Sequence, residues 1–140
     1  MPKTVLISGG TKGIGKAAVI QLLEDGFNVA TFSKNPDNCE ALKNELKDKY
    51  GKDRFLIMSA DITDETQLTG VVEETKSRFN SIDILINNAG FGYFEDSDKV
   101  DTDRFQNMVQ TNLVGLALLT KHVELTGIHR SMLPQQDIVV

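Results

Sequence analysis

Along this chain, short runs in which nearly every position is apolar alternate with longer stretches in which apolar residues recur every three or four positions. The runs at residues 5–8, 29–32, 55–60, 82–87 and 138–140 predict five strands, and their lack of alternation predicts strands covered on both faces. Between them the periodicity predicts helices. The first spans about residues 15–25, with Gly26 where a glycine commonly ends a helix. The second begins at Asn35-Pro36, an acceptor side chain followed by a first-turn proline, and places Cys39, Leu42 and Leu46 on one face. A third, beginning near Thr63-Asp64-Glu65, whose carboxylates suit a helix N-terminus, would bury Leu68, Val71, Val72, Thr75 and Phe79. The fourth begins near Thr102 and carries a stripe of Phe105, Met108, Val109, Leu113 and Leu116, interrupted by one polar member, Asn112. Strand and helix in alternation predict an α/β fold, a doubly wound parallel sheet, as one domain over residues 1–140.

A chain of 140 residues can bury a core of its own. Its net charge of −5 and lack of a basic cluster argue against nucleic acid or an anionic membrane as partner. Cys39 is the single cysteine, at an apolar-periodic helix position, which suits a buried, inert thiol in a reducing compartment. No run is long enough to cross a membrane or to act as a signal peptide, and a cytoplasmic location is expected. Lys43, Glu45, Lys47, Asp48 and Lys49 read as a solvated helix face with local ion pairs. The longest irregular and most acidic piece is residues 91–101, which would lie beside a ligand crevice.

Candidate chemistry starts at Gly9-Gly10-Thr11-Lys12-Gly13-Ile14-Gly15, directly after the first strand and opening the first helix. Gly9 and Gly13 would let main-chain N–H groups approach a pyrophosphate, and Gly15 would let the helix sit close to the strand. The helix N-terminus, with unpaired N–H groups, would then face the anion, with Thr11, Lys12 and Ile14 around it. An ordinary strand-to-helix turn is the plainer reading. A nucleotide triphosphate P-loop is a further rival, since Gly10 to Lys16 fit G-x-x-x-x-G-K; its eighth position needs Ser or Thr for Mg²⁺, and Ala17 has no hydroxyl.

In dinucleotide sites an acid roughly 20 residues past the glycines grips the ribose of NAD. Here the end of the second strand reads Thr31-Phe32-Ser33-Lys34-Asn35, with no acid; Lys34 would meet the 2′-phosphate of NADP instead, and Lys12 is a further basic group on that side.

Together with Ser59-Ala60-Asp61-Ile62-Thr63, Asn87-Asn88-Ala89-Gly90 and Thr111-Asn112-Leu113, in this order and spacing, the glycine loop resembles the short-chain dehydrogenase/reductase family over residues 5–123. The resemblance implies a Rossmann-type sheet. It implies that Asp61 accepts a hydrogen bond from the adenine amino group, with Ile62 packing on the ring; helix capping is the alternative for Asp61, although Thr63 and Asp64 are better placed for it. It assigns Asn87 to bracing adjacent strands and Asn88, Ala89 and Gly90 to the wall of the cofactor site. Asn112 matches the asparagine of the catalytic tetrad, which interrupts its helix and holds a water of the proton relay; a buried polar group on that stripe would need a partner. In the family a basic residue at the Lys12 or Lys34 position marks NADP preference, so NADP (NADPH) is expected ahead of NAD, and no metal.

The family's serine and Tyr-x-x-x-Lys pair follow the fifth strand, and the sequence reaches Val140 within that strand. Tyr50 and Tyr93 are followed four residues later by Arg54 and Ser97, so neither supplies the pair. Ser8 stands where the family usually has threonine, and residues 124–136 do not read like the family's approach to this strand. The expectation is therefore a Rossmann-type domain truncated within its fifth strand. It would be the cofactor-binding part of an NADP-dependent oxidoreductase acting on a small-molecule carbonyl or alcohol, inactive alone; homo-oligomers are expected, since proteins of the family usually associate through the helix matching the one that carries Asn112 and the helix after it, of which this sequence has only the first. The alternative is a non-catalytic dinucleotide-binding sensor or regulatory module.

Overall fold

The computed structural model of the chain describes residues 2–93 and 95–125. Strands β1 (Thr4–Ser8), β2 (Asn28–Ser33), β3 (Phe55–Ser59) and β4 (Ile84–Ile86) form one sheet in the order β3-β2-β1-β4, every pair parallel. Helices α1 (Gly13–Glu24), α2 (Pro36–Leu46) and α3 (Glu65–Phe79) join successive strands. After β4 a 3-10 turn (Ser97–Lys99) leads to α4 (Thr102–Val109), a π-helical segment (Gln110–Gly115) and α5 (Leu116–Leu125). The expected strand at residues 138–140 lies outside the described residues.

The unalternated runs are explained by two apolar layers. On one face of the sheet Leu6, Ala30, Phe32 and Leu85 meet Leu68, Val71, Val72 and Phe79 of α3 and Leu119 and Val123 of α5. On the other, Ile7, Val29, Phe55 and Ile57 meet Val19 and Leu23 of α1 and Cys39, Leu42 and Leu46 of α2. Each fully buried aliphatic side chain contributes about 1.5–3 kcal/mol, so β1, with every residue buried, anchors the domain. Burial pushes the Cys39 thiol pKa up, and its Sγ donates to Met58 O at 3.2 Å, in keeping with an inert core thiol.

Helix starts follow their local signals. Asn35 Oδ1 accepts from Asp37 N and Asn38 N to cap α2, and Asp64 Oδ1 accepts from Gln67 N to cap α3. Gly26, at φ +92°, follows the end of α1. The charged face of α2 is tied down by Lys43–Glu40 at 3.7 Å and by Lys16–Glu45 at 2.6 Å to α1, while Lys49, just past the helix, pairs with Glu24.

Two expectations need correcting. β4 is shorter than residues 82–87, because the Asp83 carboxylate takes the Thr4 N–H at 2.7 Å before regular pairing begins, and Asn87 turns toward α5. The stripe along α4 is not a core face: Phe105 is 47% and Leu113 63% exposed, and Asn112 is itself exposed. Its spacing is helical, but no residue of α4 is fully buried, and Met108, Val109 and Leu116 are only half-buried. Among the described residues no helix is long and apolar enough to cross a membrane.

Candidate functional site

From β1 the chain passes to β2 and β3 on one side and returns to β4 on the other, so the direction of winding reverses beside β1. A crevice opens there, at the carboxyl ends of the strands. The turn after β1 is stitched to both neighbours. Thr31 Oγ1 donates to Ile7 O at 2.7 Å and accepts from Gly10 N at 3.0 Å, while Gly9 N donates to Phe32 O at 3.0 Å. On the other side the fully buried Ser8 Oγ accepts from both Asn88 N and Ala89 N at 3.0 Å. Asn88 Nδ2 donates back to Ser8 O at 3.2 Å and Gly9 O at 3.0 Å. Asn88 thus braces β1 against the segment after β4. Asn87, given that role by resemblance, instead donates to Thr120 Oγ1 of α5 at 3.2 Å, and its buried Oδ1 has no partner among the described residues.

These bonds hold the start of α1 open. Whereas α2, α3 and α4 each begin on a capping side chain, Asn35, Asp64 and Asp101, the α1 cap position is Lys12, whose side chain caps nothing. Among the described residues, the first N–H groups of α1 therefore have no side-chain cap. Gly13 takes φ +59°, and a Cβ on Gly15 would stand 2.3 Å from Gly9 O and 2.4 Å from Asn88 Nδ2, so that position needs glycine.

A cavity of about 520 Å³ lies over this N-terminus. Gly9, Thr11, Lys12, Gly13, Ile14, Gly15, Ser33, Lys34, Asp61, Ile62, Asn88, Ala89 and Gly90 all line it. Asn35 does not, because its side chain is spent on the α2 cap. Nor does Asn112, which works one step removed: Oδ1 accepts from Phe91 N at 3.0 Å and Nδ2 donates to Phe91 O at 2.7 Å, clamping the loop that follows Gly90. The partner its stripe position calls for is thus a backbone, met at an exposed site. Asn112 lies in the π-helical segment, where the expected interruption of the helix falls.

Sequence reasoning missed Phe32, Ala60, Thr63, Phe91, Asn107 and Thr111 as lining residues. Asn107 and Thr111 stand four apart, so helical spacing from the already noted Thr111 was a usable signal for Asn107.

Among the described residues, charge in the cavity comes from Lys12, Lys34 and Asp61. Lys34 Nζ lies 3.5 Å from Asp61 Oδ2. Partial burial pushes the Asp61 carboxyl up, but hydrogen bonds from Thr63 N and Oγ1 and the charge of Lys34 outweigh it, leaving the pKa below its ordinary value. Lys16, which a P-loop would aim at phosphate, pairs with Glu45 and does not line the cavity.

A parallel sheet with helices on both faces, and a glycine turn feeding an uncapped helix at its carboxyl edge, defines a Rossmann-type α/β protein. The sequence model for the family described as short chain dehydrogenase matches residues 3–130, and the chain belongs to that family. It is 33% identical over 117 residues to the 3-oxoacyl-(acyl-carrier-protein) reductase FabG of Staphylococcus aureus, a match covering 83% of this chain and 47% of that protein. The structure of ElxO with NADP bound aligns at a TM-score of 0.81 and 28% identity, over 90% of this chain and 50% of that one. That of 3-ketoacyl-(acyl-carrier-protein) reductase from Brucella melitensis complexed with NADH aligns at 0.78 and 29%, over 85% and 48%. The chain spans about half the length of these relatives.

Proposed function

We propose that this chain is the cofactor-binding half of an oxidoreductase that takes NADP(H) in preference to NAD(H) and acts on a small-molecule carbonyl or alcohol. The observation that carries the reading is the charge of the cavity lining: Lys12 and Lys34 both line it, and β2 ends without a carboxylate. The residues present suit such a ligand. Gly9, Gly13 and Gly15 leave backbone where side chains would obstruct a pyrophosphate, the open α1 N–H groups are its donors, and Ile62 offers an apolar face for a base.

When bound, the nicotinamide supplies or accepts the hydride, and the protein binds and orients it. In this reading Asn88, Ala89 and Gly90 form the wall beside the cofactor, and Asn112 fixes the loop leaving that wall. Asn112 uses one acceptor site and one N–H on Phe91, which leaves one of each for the relay water that the family resemblance implies. The family's serine and Tyr-x-x-x-Lys pair would complete the site, and the chain without them would transfer no hydride. Homo-oligomerisation belongs to the same reading, supported by the exposure of Phe105 and Leu113, as does a cytoplasmic location.

The test is a fluorescence titration of the chain with NADPH and NADH. NADPH should bind more tightly, and equal affinities or tighter NADH would overturn the assignment. Lys34→Asp should shift the preference toward NADH by about 1–3 kcal/mol, the scale of charge-assisted hydrogen bonds.

A further inference from the structure

The two charges at the ends of β2 and β3 differ in how firmly they are held. Asp61 is the fixed member: its Oδ1 accepts from Thr63 N at 2.9 Å and from Thr63 Oγ1 at 2.7 Å, and its side chain is 27% exposed. Lys34 is the loose member, 80% exposed, with Nζ reaching across to Asp61 Oδ2. The lysine that the proposed reading turns toward a 2′-phosphate therefore already engages a carboxylate held by two hydrogen bonds.

We infer that the Asp61–Lys34 ion pair sets cofactor specificity, with Asp61 competing against the 2′-phosphate for Lys34 and so holding the preference for NADP(H) below what the lysine alone would give. The inference rests on the proposed NADP(H) reading of the cavity. A 2′-phosphate must draw Lys34 away from Asp61 or share it, and it must do so close to a fixed negative charge. A 2′-hydroxyl needs no ammonium and meets no repulsion. The pair thus acts on one cofactor and hardly on the other. Any contact that Asp61 makes with the adenine is common to both and cancels in their ratio.

The experiment measures dissociation constants of NADPH and NADH by nicotinamide fluorescence for the wild-type chain, Asp61→Asn, Lys34→Met and the double variant. The amide oxygen that Asp61→Asn introduces can still accept from Thr63, so the rim keeps its shape while the charge is lost. Asp61→Asn should raise the preference for NADPH over NADH about threefold, the scale of one partly exposed ion pair. Lys34→Met should lower it, and in that background Asp61→Asn should have a smaller effect on the ratio. An Asp61→Asn ratio that is unchanged or lower overturns the inference, as does an Asp61→Asn effect of the same size with and without Lys34. Binding of neither cofactor by the wild-type chain would sink the NADP(H) reading and the inference with it, whereas a wild-type preference for NADPH that Asp61→Asn fails to raise sinks the inference alone.

Discussion

Ser8 is a small side chain on which the geometry of the whole crevice hangs, and replacing it by alanine should cost far more than the loss of one hydroxyl suggests. Its Oγ is the acceptor for two backbone donors, Asn88 N and Ala89 N, and Ser8 is fully buried. Alanine leaves both N–H groups facing a space with no acceptor. Each stranded buried donor costs about 1–3 kcal/mol, and since Asn88 and Ala89 are only half-buried the lower part of that range applies, giving about 2–4 kcal/mol for the pair. Against a total stability of about 5–15 kcal/mol this is a large share. For a domain of this size it corresponds to a drop of about 10 °C in Tm. Urea unfolding followed by circular dichroism is the assay, read as a lower midpoint at unchanged m-value. Ser8→Thr keeps the acceptor and should stay near wild type. An alanine variant within about 0.5 kcal/mol of wild type would refute the reasoning, because it would mean that the two amides find other partners at no cost.

Gly15→Ala should weaken nucleotide binding and destabilise the fold, since its Cβ would stand 2.3 Å from Gly9 O; Gly13→Ala, with nothing within 4 Å of its Cβ, should cost the fold only the left-handed backbone, about 1–2 kcal/mol, while still weakening nucleotide binding, and titration together with thermal melts checks this. Asn112→Ala removes both bonds to the Phe91 backbone and should raise amide hydrogen exchange in residues 91–101 while changing global stability by less than about 1 kcal/mol, as expected of an exposed contact. The contact from His122 and the charge of Lys121 hold the Glu65 carboxyl below its ordinary range. A depressed native pKa stabilises the fold above the unfolded carboxylate value, near 4.3, and that stabilisation is lost as pH falls through the native value. Glu65→Gln should therefore show a shallower loss of urea midpoint than wild type between neutral pH and acid; equal slopes would count against the triad.

The parts of this fold that were legible in the sequence are those encoded by neighbours. Asn35 and Asp64 cap helices whose N–H groups lie two or three residues away, and the buried sets of α2 and α3 repeat at helical spacing, so local reading found them. The glycines and lysines of the cavity were legible because their spacing is itself the signal. What escaped is long-range. Ser8 meets a backbone 80 residues on, Asn87 a hydroxyl 33 residues on, and Asn112 a peptide 21 residues back, and no periodicity carries those partners. The α4 stripe shows the converse error, since spacing says which residues share a face and not whether anything covers it.

The π-helical turn between α4 and α5 makes residue count, more than residue identity, the constraint on this stretch. It is seated by Gly115, where a Cβ would stand 2.8 Å from Ile62 O, and it is followed by Leu119 and Val123, both wholly buried with α3 residues in one core. A π turn holds more residues than the α turn it replaces, so deleting one residue within 110–115 would let the helix close in ordinary α geometry. The extra residue is what the π turn absorbs, so α4 and α5 would keep their relative orientation, whereas one residue deleted from α5 ahead of Leu119 would rotate all that follows by about 100°, the angle that one residue subtends. The deletion within the turn would therefore leave Leu119 and Val123 in the core and fall on the turn's own contacts, the Asn112 clamp on Phe91 and the seat of Gly115, while the deletion in α5 would swing Leu119 and Val123 off the core. Point substitutions on the solvent side of this turn are tolerable, while the position of an insertion or deletion decides whether the packing of α5 or the loop leaving the crevice is disturbed.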